Sequence, residues 1–347
     1  MISTLTKHTI PRNRFQRFLG ASAAIFLAGS MASMALTAGE KEIEAYLPNG
    51  VTFTTASAEQ IRDAAVEAIK LPKVKATTLP SVIVSAATKK VPQFAPVFGE
   101  AGLNKVYGQN GFVGIPDNKK TAEAKKLVTS VFKLGLGLIG SEQTRADEAA
   151  AIMSRAVNAV RDLPTVGTLD TLTPLSIVVT SALKAVSSPK VNGADAVEGI
   201  ITGAVTQFAG NSNEDIGSTT PGDNSDDVVK SILTTAAKAA PKRVAEIGRA
   251  AGFAFAGTYL FTTTDGSEIT VDEFRALNVE KITAAILAGL SAGKAKSTLT
   301  QGQIRTAVDT GIVAAFGGGT GVLGSAGVNE FAYNNGQGEP VTDISGI

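Results

Sequence analysis

The sequence contains no cysteine and no tryptophan, and its single histidine is His8. Without cysteine there is no disulfide, no lipid attachment at a thiol and no thiolate nucleophile. His8 lies inside the basic amino-terminal segment, so the chain beyond it has no imidazole either. Together these absences exclude Ser-His and Cys-His nucleophile pairs and the usual zinc, copper and haem ligands. Aromatic residues are also scarce, at 5 % of 347 residues. A core with so few rings must be assembled from Ala, Val, Leu and Ile, and small residues let helix backbones approach closely. What the chain does have is 44 % hydrophobic residues and 36 glycines, a globular composition biased towards tight packing.

No acidic residue precedes Glu40, whereas Lys7, Arg12, Arg14 and Arg17 do. They are followed by an uncharged run of small and apolar residues from Phe18 to Ala38, with small residues at Ser33 to Ala35 and at Ala38. Basic, apolar and then small is the layout of a secretory signal peptide, here residues 1–38. The competing reading is an uncleaved anchor, since the run is long enough to span a bilayer. Without an Arg-Arg pair a twin-arginine route is not indicated. The expected destination is periplasmic, cell-surface or extracellular, with membrane contact through the export segment alone. Beyond residue 38 the chain holds 28 basic and 31 acidic residues, a formal charge of −3. That balance leaves no basic surplus for phosphate neutralisation, so no nucleic-acid partner is expected.

The rest reads as paired helices. Residues 39–116 are expected to form an extended stretch (Tyr46 to Thr55) and a helical hairpin. Residues 117–331 continue as helical pairs, and 332–347 form a flexible tail. Ser57 is a helix cap, and Ile61, Ala64, Ala65, Ala68 and Ile69 share one face of the helix that follows. Ser81 to Gly102 and Lys230 to Gly252 share one layout: a small-residue helix, a proline (Pro92, Pro241), then a second helix closing on Ala and Gly. Proline suits a first helical turn because its missing N–H has no intrahelical partner there. Further pairs are Thr121 to Gly140 with Glu142 to Pro164, Ser176 to Val186 with Asp195 to Gly210, and Asn278 to Gly293 with Gly302 to Gly319. Their spacing is irregular, so no fixed solenoid period is present. Thr258 to Phe274, with β-branched residues on both sides of Asp265-Gly266, predicts a β-hairpin. The expected fold class is therefore all-α, packed helical hairpins or irregular helical repeats with one small β-hairpin element.

Chemistry-bearing motifs are weak. Ser130 to Lys133 and Ser181 to Lys184 match S-x-x-K, but no K-T-G follows. Gly319 to Gly324 matches G-x-G-x-x-G without a preceding strand or room for a βαβ unit. Asp265 to Phe274 echoes half of an EF-hand loop with its Glu273 one place too late for bidentate coordination. Gly317 and Gly321 sit at G-x-x-x-G spacing in an uncharged stretch, read as a helix end followed by a Gly-rich loop. The metal candidates are Asp223, Asn224, Asp226 and Asp227, a calcium-type cluster in the polar loop Asn211 to Asp227, and no other cofactor is expected. These exclusions predict a non-catalytic exported protein, a self-assembling structural subunit or interaction scaffold. Its partner is another copy of the chain or another envelope or extracellular protein. Two rivals stand beside this reading: a helical-repeat ligand binder with an apolar groove, and a carboxylate- or lysine-dependent hydrolase acting on glycans.

Overall fold

The computed structural model describes residues 35–137, 142–161, 163, 173–186, 193–209, 225–257, 271–294 and 297–315. A compact unit begins at Thr37. Among the described residues every regular element is helical, so the chain is a mainly α-helical protein as its periodicity predicts.

The first helix, α1 (Ala38–Glu44), is one the apolar pattern does not announce, because Ile43 is its one large aliphatic residue. It is fixed by its cap. The Glu40 amide donates to Thr37 Oγ1 at 3.3 Å and the Thr37 amide to Glu40 Oε2 at 2.6 Å, a reciprocal capping box. The same device opens α2 (Ala58–Lys70), where Ser57 and Gln60 exchange bonds of 3.2 and 2.9 Å. The five aliphatic residues expected on one face of α2 are all buried. Between α1 and α2, Tyr46 to Thr55 is not extended. Pro48 and Val51 close one turn and Thr52 and Thr55 another, while Thr52, Thr54 and Thr55 bond through their hydroxyls. Threonine side chains that reach their own backbone neighbourhood favour such turns over a strand ladder.

Next come α3 (Pro80–Lys90) and α4 (Ala95–Tyr107), then α5 (Asp117–Gly137) and α6 (Glu142–Asn158). The chain continues through α7 (Pro174–Val186), α8 (Gly193–Ala209), α9 (Ser225–Ala239), α10 (Val244–Gly257), α11 (Val271–Ala292) and α12 (Gln301–Ala315). The two proline units fold alike. Pro92 and Pro241 each open a single 3-10 turn, Pro92–Phe94 and Pro241–Arg243, that leads into α4 and α10. The residues before them, Val91 (φ −137°, ψ 75°) and Ala240 (φ −133°, ψ 62°), share one backbone conformation, the non-helical region a following proline imposes.

Packing follows a simple rule. The odd-numbered helices α1, α3, α5, α7, α9 and α11 each pack on the next, and so do the even-numbered α2, α4, α6, α8, α10 and α12. Each helix also touches its chain neighbours in the other row. The result is a two-row stack of helical hairpins that runs through residues 116 and 117 without interruption, since α3 and α4 both pack on α5. Its units begin at Ala38, Pro80, Asp117, Pro174, Ser225 and Val271, so neighbours stack without a fixed sequence period.

Glycine sets how close successive helices of a row come. A Cβ on Gly199 or Gly203 of α8 would collide with the carbonyl groups of Ala146 or Ala150 of α6. Gly252 of α10 meets the Val308 carbonyl of α12 in the same way. Gly102 and Gly252, on which the two proline units end in the sequence, are thus interior packing positions, while Phe255-Ala256-Gly257, also read there as a helix close, does end α10. Helices α4 and α10 run on to Tyr107 and Gly257, and it is Gly108 (φ 74°) that ends α4 in the left-handed conformation. Of the predicted β-hairpin, 258–270 lie outside the described residues, while Val271 to Phe274 form the first turn of α11. The expected tail, 332–347, lies outside the described residues as well.

Candidate functional site

On the odd-numbered row, α1, α3 and α5 leave a groove of about 710 Å³ between them. Gly39 makes it possible: a Cβ there would stand 2.5 Å from the Val82 carbonyl oxygen and 2.9 Å from Ala86 Cβ, so α1 rests directly on the α3 backbone. α3 supplies Ser81, Val82, Ser85, Ala86 and Lys89, α5 supplies Lys125, Lys126, Thr129, Ser130 and Leu134, and α1 supplies Thr37 and Glu40. Buried Glu123 of α5 fixes the upper end by accepting from the Ser81 amide at 2.7 Å. The groove therefore offers hydroxyls and ammonium groups. Among the described residues its one lining carboxylate, Glu40, is held by the capping box of α1. That arrangement can hold a polar or anionic surface. It lacks a second carboxylate to pair with an acid or base. Between these polar groups the lining is mainly apolar, with Val82, Ala86, Leu134 and the methylene stems of the lysines alongside the hydroxyls.

The sequence-predicted residues do not gather in the described structure. Ser130 lines the groove, but Lys133, one turn on, points to solvent. Ser181 is buried in α7 while Lys184 is exposed. Asp226 and Asp227 belong to the first turn of α9, where acidic residues favour a helix start. Asp223 and Asn224 lie outside the described residues, as do Gly317, Gly321, the 319–324 glycine motif and Asp265 to Thr270. Among the described residues no three His, Asp or Glu side chains converge in a way that would hold a metal ion.

Several buried or half-buried carboxylates went unseen in the sequence. Glu42 of α1 is 1 % exposed and accepts from the Val74 and Lys75 amides, at 2.8 and 2.7 Å, and from the Thr78 hydroxyl at 2.8 Å. Glu44 takes the Phe53 amide at 2.7 Å. Glu198 of α8 is 1 % exposed and pairs with Arg249 of α10, and Glu100 of α4 pairs with Arg155 of α6 at 2.8 Å. Each of these ion pairs joins neighbours of the even-numbered row. The available signal was a glutamate at an otherwise apolar helical position, as in the Ala196 to Val205 run around Glu198.

Two further groups are perturbed. Burial pushes Glu148 of α6 up to about 7 and the Tyr107 hydroxyl up to about 12. Among the described residues neither Glu148 Oε1 nor the Tyr107 hydroxyl has a hydrogen-bond partner. Perturbed groups of this kind mark functional sites when they share a cleft, but neither lines the groove.

No protein-family model, curated protein or solved structure matches this chain. The assignment therefore rests on the groove and the stack. No helix among the described residues is long and apolar enough to cross a membrane.

Proposed function

We propose that this chain is a non-catalytic interaction scaffold of the cell envelope or exterior, one that works by holding another copy or another envelope protein against its helical faces. The observation that carries this reading is the two-row stack. Repeats that touch their neighbours alone create long surfaces for partners, and the glycine seams hold those surfaces rigid. The groove between α1, α3 and α5 supports it, since its lysines Lys89, Lys125 and Lys126 and its hydroxyls favour recognition over bond cleavage.

Among the described residues, the two ends of the stack favour a discrete assembly over an open polymer. α2 exposes Glu59, Asp63 and Glu67, and α12 exposes Gln303, Thr306 and Thr310. Polar outer faces of this kind close a repeat array. Size fractionation of native material tests the proposal. The chain should run in an assembly larger than its own 35.5 kDa. The triple substitution Lys89→Glu, Lys125→Glu and Lys126→Glu should release it as a folded monomer. A native chain that already runs as a monomer refutes the reading.

A further inference from the structure

The structure carries a second surface, independent of the groove and of the export reading. We propose that the edge formed by the α2–α3 and α4–α5 connections docks on an anionic lipid surface.

Three of the four large apolar side chains that stand exposed among the described residues lie on this edge: Leu71 at 65 %, Val74 at 56 % and Val113 at 78 %. One hydrogen bond places the two connections side by side. Lys105, in the last turn of α4, donates from Nζ to the Lys70 carbonyl at the end of α2, at 2.9 Å. Helices α2 and α4 are neighbours in one row, so the chain leaves both at the same end.

The loops are held from beneath, which leaves their side chains outward. Glu42 anchors the Val74 and Lys75 amides of the first loop. In the second, the Phe112 amide bonds the Gln109 carbonyl at 2.9 Å and Asn110 Nδ2 bonds Asn104 Oδ1 at 3.1 Å. Around the aliphatic tips stand exposed Lys70, Lys73, Lys75 and Lys119. No ion pair engages these four lysines among the described residues; Lys73 Nζ rests 3.7 Å from the Tyr46 ring centre. Of the acidic groups here, Glu42 is consumed by its three donors, Asp117 is paired with Lys120 at 2.7 Å, and Glu67 is exposed.

Exposed aliphatic side chains beside lysines that no ion pair engages match an interface in which apolar groups reach the acyl boundary and ammonium groups meet lipid phosphates. Lysine stems also lie along apolar surface while their heads stay in water.

Because the chain has no cysteine, Val113→Cys and Val74→Cys each carry one environment-sensitive fluorophore, as does Gln93→Cys at the other end of α4. The full-length labelled proteins are titrated with phosphatidylglycerol vesicles and with phosphatidylcholine vesicles. The Val113 and Val74 labels should brighten and shift to the blue with phosphatidylglycerol, weakly with phosphatidylcholine, and the Gln93 label with neither. A lysine near an anionic surface contributes roughly fivefold to partitioning, so Lys70→Ser with Lys75→Ser should weaken the apparent affinity about 25-fold. Equal responses at Val113 and Gln93 would place the association on the amino-terminal apolar segment and overturn the proposal. Silent Val113 and Val74 labels, or lysine variants that bind unchanged, would overturn it too.

Discussion

Glu42 holds the 71–79 connection with a single buried carboxylate that takes three hydrogen bonds. Glu42→Gln presents an amide –NH₂ to donors that need an acceptor, and hydrogen bonds to a charged group contribute about 1.5–3 kcal/mol each. A net loss of about 2–4 kcal/mol is expected in urea denaturation. Glu59→Gln, on the exposed face of α2, should stay within about 0.5 kcal/mol of the parent. Glu148 behaves in the opposite sense. Its folded pKa, about 7, lies above the ordinary 4.5 because burial disfavours the charged form. Below pH 4.5 both states hold the proton and the site costs nothing. As pH rises from there to about 7 the unfolded chain releases its proton first, so stability falls and then levels off. Glu148→Gln should remove most of that slope and leave the variant more stable above pH 7 by about 2–3 kcal/mol. Denaturation midpoints that move in parallel with pH for parent and variant would show Glu148 to be well solvated.

At the scale of elements the seams decide stability. Gly199→Ala and Gly203→Ala place a methyl against the backbone of α6 and should each cost about 1–3 kcal/mol, the usual penalty of overpacking. Gly137→Ala, where nothing lies within 4 Å, should stabilise α5 by up to about 1 kcal/mol. Thermal midpoints ordered the other way would mean that α6 and α8 can move apart without penalty. Ala236→Leu and Ala250→Leu belong with the seam variants, since both residues are fully buried, and exposed Lys238→Leu is their control. Arg249 is no such control. Its substitution leaves Glu198 buried and unpaired, at a cost of at least about 2 kcal/mol. Pairing of helices, the Pro92 and Pro241 units and the buried face of α2 were legible because period and proline are local signals. The role of Gly102 and Gly252 was not, because a helix terminator and a close-packing contact use the same residue. What separates them is a neighbouring helix, here Leu127 or Val308, that local sequence does not show. The buried carboxylates and the basic groove were hidden for a similar reason. Lys89 and Lys125 lie 36 residues apart and meet through α3–α5 packing alone.

For the molecule as a whole, the start of the compact unit bears on how an exported form would be processed. The sequence offers small-residue cleavage sites after Ala35 and after Ala38. Cleavage after Ala38 would remove Thr37, the cap of α1, and leave a charged α-amino group on Gly39. Loss of a threonine cap costs about 0.5–2 kcal/mol. A positive charge at a helix amino terminus also opposes the helix dipole, by about 0.3–1 kcal/mol at an exposed end. Gly39 is buried against the Val82 carbonyl, so the new terminus would in addition need to find solvent from inside the α1–α3 contact. Cleavage after Ala35 avoids all three penalties, because Leu36 would then carry the charge and the Thr37–Glu40 capping box would survive. The expected mature terminus is therefore Leu36, read as the intact mass of the exported protein. The helix α1 it preserves forms one wall of the groove and carries Glu42. A mature chain beginning at Gly39 should accordingly show a lower urea midpoint than one beginning at Leu36, and equal midpoints would mean that the α1 cap contributes nothing to the stack.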